Sequence, residues 1–365
     1  MHVPDGFFTA AVSVSAGVVA AAGMAYCLRG ARRELDDRAA PMAGLVAAFI
    51  FAAQMLNFPV AAGTSGHLLG GALAAVLVGP YTAVLAVAVV LIVQAFLFAD
   101  GGLTALGINI TLMAIVTAVV GWAVFRLVVR ALPRGRPAIT AASFVAALVS
   151  VPASALVFTL LFWIGGTAPI EVGTVALAMG GVHLLIGIGE GLITALTVSA
   201  VLAVRPDLVY GARGLTAPLE LRNPDGTTRL AEPSAPAAAP AAASARKGGF
   251  APFALAGLAA SLVLAGVVSF YASGDPDGLE RVAADHGLDA GEQEHGLGDS
   301  PLADYGVAGV ADERLSVGLS GIIGVGVTVA AGGALFYAVR RRTRDEVGAS
   351  GTRTGSADGP DRARA

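Results

Sequence analysis

Residues 81–98 read YTAVLAVAVVLIVQAFLF, eighteen positions without one Asp, Glu, Lys or Arg. A hydrocarbon core of roughly 30 Å is crossed by about 20 apolar residues in a helix, so this run predicts a membrane span. Outward from it, similar runs predict helices over 8–28, 41–57, 108–131, 138–164 and 174–204. A shorter run, 67–78, stops at Gly79-Pro80 and reads as a short helix of its own. Two further spans, 251–271 and 316–339, follow a break, making nine. The expected fold is all-α: a polytopic membrane protein with a seven-helix bundle and a two-helix C-terminal membrane module.

Composition agrees. Of 365 residues, 56% are hydrophobic and 13% charged, where a soluble domain carries about 25% charged residues. An ordinary cytosolic enzyme is excluded. The 48 glycines show no period-three repeat, so the chain is not collagen-like. A net charge of −3 offers no field for nucleic acid. Cys27 stands alone and forms no internal disulfide.

Charge also sorts the loops. Arg29, Arg32, Arg33 and Arg38 fall on the same side as Arg126, Arg130, Arg134 and Arg136. The stretch from Arg205 to Lys247 and the cluster Arg340-Arg341-Arg342-Thr343-Arg344 join them. The opposite loops at 58–66, 99–107 and 165–174 hold no basic residue, and loop 272–315 sets Arg281 and Arg314 against eleven carboxylates. The positive-inside rule then predicts a multi-pass protein of the cell membrane, N-terminus extracytoplasmic and C-terminus cytoplasmic. Nine spans require such opposite ends. The expected organisation is a membrane domain over 1–204, a cytoplasmic Pro/Ala-rich linker over 205–250, a two-span module over 251–340 with an acidic extracytoplasmic loop, and a disordered cytoplasmic tail over 341–365. The first residues lack the basic n-region and cleavage site of a signal peptide, which leaves Met1 as the expected mature N-terminus.

Chemistry concentrates in a few stretches. The chain opens MHVPDGF. A free Met1 amine, the His2 amide nitrogen and the His2 Nδ1 can chelate one ion through fused small rings. A fourth nitrogen completes a planar set suited to Ni(II) or Cu(II). Pro4, Asp5 and Gly6 predict a turn that folds this terminus back. In QMLNFPVAAGTSGHLLGGALAAVLVGP, 54–80, His67 opens the short helix on the side of Met1, as a ligand or as a packing histidine. Gly66 and Gly70 there read as a small-xxx-small helix contact. In VHLLIGIGEGLIT, 182–194, His183 and Glu190 share a helix face. Glu190 is either an anchor between helices or part of a cation path. Asn57, Gln94, Asn109, His183 and Glu190 are the candidates for orienting ligands or lining the path; Asp100 and Asn109 also suit plain helix caps. The motif DPDGLE, 275–280, precedes a loop with His286 and His295, which either concentrates cations or is simply solvated. The lone lysine, Lys247, is followed by Gly248, so a phosphate-binding Gly-Lys-Ser/Thr step is absent and any ATP-driven work belongs to another subunit.

Taken together, MHVPDGF, NFPVAAGTSGHLLGGALAAVLVGP (57–80), QAFLFADGGLTALGIN (94–109) and HLLIGIGEGLIT (183–194) resemble the CbiM/NikM family. Its members are the substrate-specific S components of energy-coupling factor transporters for cobalt and nickel. The resemblance implies an S-component-like bundle and a metal site formed by Met1, His2 and His67. It implies Ni²⁺ or Co²⁺ as the transported ligand, supplied to cobalamin biosynthesis or to nickel enzymes. It also implies as partners a transmembrane T component (CbiQ/NikQ-like) and cytoplasmic ATPase subunits (CbiO/NikO-like), with no catalytic residue in this chain. The C-terminal module resembles a PDGLE-type, CbiN/NikN-like subunit, and departs from the GADG-containing CbiN of cobalt systems, so the choice of metal stays open. Two other functions fit parts of the sequence. A rhomboid-like intramembrane serine protease would use Ser65, in Gly63-Thr64-Ser65-Gly66, with His183 as base. A self-sufficient ion-coupled metal permease would use Glu190 as a relay.

Overall fold

The computed structural model describes residues 1–35, 39–61, 63–213, 220–222, 228–230 and 250–354, and of 220–222, 228–230 and 343–354 the backbone alone. Among the described residues, seven helical rods are long and apolar enough to cross a bilayer. They are α1 (Ala10–Glu34), α4 (Pro80–Val93) continued by a π-helical turn Gln94–Phe98, and the rod of α5 (Leu106–Asn109), π-helical Ile110–Val116 and α6 (Thr117–Ala131). After them come α7 (Arg136–Gly165), α8 (Val172–Val204), α9 (Phe250–Gly266) and α11 (Glu313–Thr354).

Two of the nine expected spans form shorter helices than that length among the described residues. α2 (Ala39–Gln54) has 16 residues and is about 24 Å long. It stops at Gln54 rather than 57 because Pro59 and Gly63 favour a hairpin, β1 (Phe58–Ala61) paired antiparallel with β2 (Thr64–Gly66). α3 (Gly71–Val78) has eight residues, about 12 Å. The stretch 67–70 before it is not helical, so His67 lies on buried irregular chain and the expected Gly66–Gly70 helix contact does not form. Gly70 instead adopts φ +85°, a left-handed conformation that glycine takes without strain and that turns the chain into α3. A non-helical segment survives inside a membrane bundle only where protein surrounds it, and Leu68, Leu69 and every residue of α3 are buried.

α9 and α11 pack along α2. Between them residues 272–312 fold back over the end of the bundle that carries Met1, with the short helix α10 (Gly278–His286) seated against α8 and β2. Asp277 starts α10 in a capping box: its side chain accepts from Leu279 N and Glu280 N while Glu280 accepts from Asp277 N. Ser65 N donates to Pro276 O at 2.9 Å, Ser273 N to Asn57 O at 2.8 Å and Gln293 N to Asp5 O at 2.9 Å. These bonds tie the acidic loop over the bundle as a cover whose outer carboxylates, among them Asp285, Glu292 and Glu294, stay exposed.

Past Val204, two 3₁₀ turns, Pro206–Leu208 and Tyr210–Ala212, bury Leu208, Val209 and Ala212, so bundle packing runs into the stretch expected as linker. A strand pair, β3 (Glu220–Arg222) with β4 (Thr228–Leu230), follows. Lys247 and the other linker positions 214–219, 223–227 and 231–249 lie outside the described residues, as do Arg38 and tail residues 355–365. The helix α11 continues to Thr354, through positions expected to be disordered; Arg and Glu in that stretch are good helix formers.

Candidate metal centre

The first nine residues form an extended strap drawn into the bundle. Gly102 N donates to Val3 O at 2.9 Å, and Asn109 grips the same residue from both sides, accepting from Val3 N at 2.8 Å and donating to Val3 O at 3.0 Å. Asn109 is thus a clamp on the terminus rather than a helix cap. Asp5 accepts from Leu103 N at 3.1 Å and Thr104 N at 2.7 Å, and from the Thr104 hydroxyl, while Gly6 turns the chain with φ +88°. Farther along, Thr167 N donates to Phe7 O at 3.1 Å and Thr9 N to Gly165 O at 2.9 Å. Both ends of the strap are tied, and Met1 is left 2% exposed.

What the strap delivers is an amine. Met1 N lies 2.5 Å from His67 Nε2 and contacts Asp277 Oδ2. His67 Nε2 is 3.4 Å from the same oxygen, and its Nδ1 is 3.1 Å from Leu68 O. His2 stacks on His67 with ring centroids 5.0 Å apart. Its Nδ1 faces Asp100 Oδ1 at 3.2 Å and its Nε2 faces Gln94 Oε1 at 3.1 Å. Gln94 Nε2 in turn donates to Tyr305 OH at 3.0 Å, and Tyr305 OH donates to Asp100 Oδ2 at 2.6 Å. Asp100 is therefore a bridge between His2 and the C-terminal module, not a cap. The two π-helical turns flank the loop that carries it, and such turns re-aim side chains where a regular helix would not.

Electrostatics follow from burial. Desolvation lowers His2 to about 4, against the opposing pull of Asp100, so its imidazole is neutral at pH 7. Burial alone would push Asp277 up, but the Met1 amine and His67 beside it hold its carboxyl well below the usual range. A cavity of about 750 Å³ opens onto His2, His67 and Asp277, with Asp100, Glu280 and Glu292 among its lining. Nitrogen donors at the floor and carboxylates on the walls suit a divalent transition-metal ion.

Asn57 lines the cavity and offers its carbonyl to Ser273. Glu190 lies deeper, on Leu69 N and Gly70 N. His183 is fully buried; its Nδ1 bonds Met179 O at 2.8 Å and its Nε2 has no partner. Ser65 donates its hydroxyl to Asp275 O at 2.7 Å, so it is not joined to His183 as a nucleophile to its base. His286 and His295 do not line the cavity.

The family model for the cobalt uptake substrate-specific transmembrane region, CbiM, matches residues 2–208. This chain belongs to the CbiM family. A PDGLE domain matches residues 251–341. The fused nickel transport protein NikMN of Rhodobacter capsulatus is 33% identical over 363 residues, covering 94% of this chain and 99% of the relative. A putative metal transport protein of Haloquadratum walsbyi is 41% identical over 58% of this chain and 94% of its own length. The cobalt transport protein CbiM of Sorangium cellulosum is 33% identical over 57% of this chain and 94% of its own. The crystal structure of a transition metal transporter, 27% identical, superposes with a TM-score of 0.51 over 59% of this chain and all of that one.

The CbiM region supplies His2, His67, Asp100 and Asn109, while the PDGLE domain supplies Asp277 and Tyr305. Of the residues singled out from the sequence, Met1, His2, His67, Gln94 and Asn109 come together. Asp277, Tyr305 and Asp5 were not among those site residues. The Asp-Gly-Leu-Glu spacing of 277–280 signals a helix start, and nothing local says that this start lies on the Met1 amine. Gly278 shows why the motif fits: a Cβ there would meet Ile186 Cδ1 at 2.6 Å, Val182 Cγ1 at 2.8 Å and His183 Cε1 at 3.3 Å.

Proposed function

We propose that this CbiM-family chain is the substrate-binding membrane subunit of an energy-coupling factor ABC transporter that imports nickel. The observation that carries the reading is the buried Met1 amine, 2.5 Å from His67 Nε2 at the floor of a carboxylate-lined cavity. Met1 N, the His2 amide nitrogen, His2 Nδ1 and His67 Nε2 form the chelate in the loaded state. Loading turns the His2 ring away from Asp100, and binding displaces protons from the amine and the amide. Nickel is favoured by the planar nitrogen set and by a fused nickel transport relative that matches 94% of this chain. A cobalt transport relative, which matches 57% of this chain, supports cobalt as the second candidate.

The cavity end faces outward and the arginine-rich end inward, following the positive-inside rule. Energy comes from a transmembrane T component and cytoplasmic ATPases, because the chain's lone lysine cannot build a phosphate loop. One added residue before Met1 removes the amine from its place and is expected to abolish tight Ni²⁺ binding to the purified chain, which stays folded at a lower unfolding temperature because the buried Met1–Asp277 ion pair is lost. Undiminished binding would refute the amine chelate. Uptake by cells lacking every T component and ATPase would instead favour an ion-coupled permease, and competition between Ni²⁺ and Co²⁺ ranks the metals.

A further inference from the structure

Asp277 divides its two oxygens between two tasks. Oδ1 accepts from Leu279 N at 2.7 Å and Glu280 N at 3.0 Å, which fixes the carboxylate as the cap of α10. Oδ2 contacts the Met1 amine and lies 3.4 Å from His67 Nε2. One oxygen thus reaches two of the four nitrogens of the proposed chelate.

The carboxylate is also rigidly placed. Glu280 accepts the Asp277 N–H at 2.8 Å, Gly278 sits directly on α8, and Ser65 donates its hydroxyl to Asp275 O and its N–H to Pro276 O. A divalent metal bonds nitrogen at about 2.0–2.1 Å, so an ion between the amine and His67 lies within reach of Oδ2. A planar nitrogen set leaves positions above and below the plane for an oxygen donor. The cavity that opens to this point is walled by further carboxylates, including Glu280 and Glu292, which raise the local cation concentration.

We propose that Asp277, supplied by the C-terminal module, is an oxygen ligand of the transported ion, binding through Oδ2 beside the Met1 amine and His67 Nε2. The inference rests on the metal site proposed above. It makes the module part of the metal site, so that the first domain alone holds an incomplete ligand set.

The test uses the full-length chain, Asp277→Asn and Asp277→Ser. Both substitutes are good helix N-caps, so α10 is retained while the anionic oxygen is lost, and thermal unfolding verifies the fold. Ni²⁺ and Co²⁺ are titrated calorimetrically, and X-ray absorption of the nickel-loaded protein reports the donor atoms. The expected result is one oxygen donor in the wild type that is missing in both variants, with affinity falling roughly ten- to hundredfold, at least the loss seen when a metal site's supporting group is removed. An identical donor set in wild type and variants overturns the proposal, whatever the affinity does. His67→Ala separates the two readings. Its failure to bind, alongside a nitrogen-only wild-type site, overturns the role of Asp277 alone, whereas unchanged binding in His67→Ala overturns the site itself.

Discussion

The carboxylate of Glu190, near the middle of α8, accepts the backbone N–H of Leu69 at 2.7 Å and that of Gly70 at 3.1 Å. These two groups lead into α3, whose first turn presents unpaired N–H groups inside the bundle. Gly70, at the N-cap position, has no side chain with which to satisfy them. A carboxylate from another helix instead takes the two N–H groups just ahead of that turn, and its charge complements the positive end of the α3 dipole. Both oxygens are spent on backbone, the geometry of an anchor between helices. Because Leu69 stands two residues after His67, the anchor also fixes how the ligand-bearing segment enters the site.

Replacing Glu190 should therefore lower stability in graded steps. Gln keeps one acceptor and presents an amide donor to the other N–H, whereas Ala leaves both groups unpaired. A hydrogen bond to a charged group contributes about 1.5–3 kcal/mol, so Glu190→Ala should cost more than Glu190→Gln, with Ni²⁺ affinity falling in the same order. Thermal unfolding in detergent and calorimetric titration measure both. Equal unfolding temperatures for wild type and Glu190→Ala would show that the cap contributes nothing.

Asn109 holds Val3 through a donor and an acceptor at once. Asn109→Ala removes both bonds in a buried setting, at about 1–3 kcal/mol for each group left unpaired. Part of that loss should appear as fraying of the strap, which weakens metal binding even though every proposed ligand is intact. Asn109→Asp keeps the acceptor for Val3 N but turns a second oxygen on Val3 O, so it should bind metal no better than the Ala variant. If both variants bind Ni²⁺ like wild type, the strap is held by its other ties alone.

Ser65→Ala should be mild. It deletes one neutral hydrogen bond, to Asp275 O, for about 1 kcal/mol. The Ser65 N–H remains on Pro276 O at 2.9 Å. Metal uptake should persist near the wild-type level. Complete loss of function in a folded Ser65→Ala protein would return the serine to consideration as a nucleophile.

Much of this was legible in the sequence because membrane insertion writes itself into composition. Apolar runs placed the rods, and MHVPDGF with its downstream His67 singled out three residues that the fold brings together. Two things were not legible. α3 is read as a plain apolar run because its N-terminal partner, Glu190, comes from a helix more than a hundred residues later, and no local pattern encodes that pairing. The cover over the site is likewise non-local: Asp277 and Tyr305 look like members of a solvated acidic loop, since eleven carboxylates in loop 272–315 suggest repulsion. Backbone bonds from Ser65, Asn57 and Asp5 hold that loop down, and backbone bonding leaves no signature in side-chain charge.

Tyr305 is the member of that cover whose behaviour with pH can be foretold. Its hydroxyl donates to Asp100 Oδ2 at 2.6 Å and accepts from Gln94, while its ring stacks on Phe98 at 4.8 Å between centroids. Burial, and then the nearby Asp100 charge, raise the phenol well above its ordinary value of 10.0. The folded protein thus binds this proton more tightly than the unfolded chain does. The stabilisation is full below a pH of about 10, the value for an unperturbed tyrosine, and is lost as pH rises through the folded value. Wild-type unfolding temperature should fall across this alkaline range. Tyr305→Phe should start lower at neutral pH, by about 1–3 kcal/mol for the partners left unpaired, and should fall less steeply, so that the two curves converge. Parallel curves up to pH 11, measured by thermal unfolding in detergent at roughly constant ionic strength, would show that the hydroxyl does not hold the cover on the bundle.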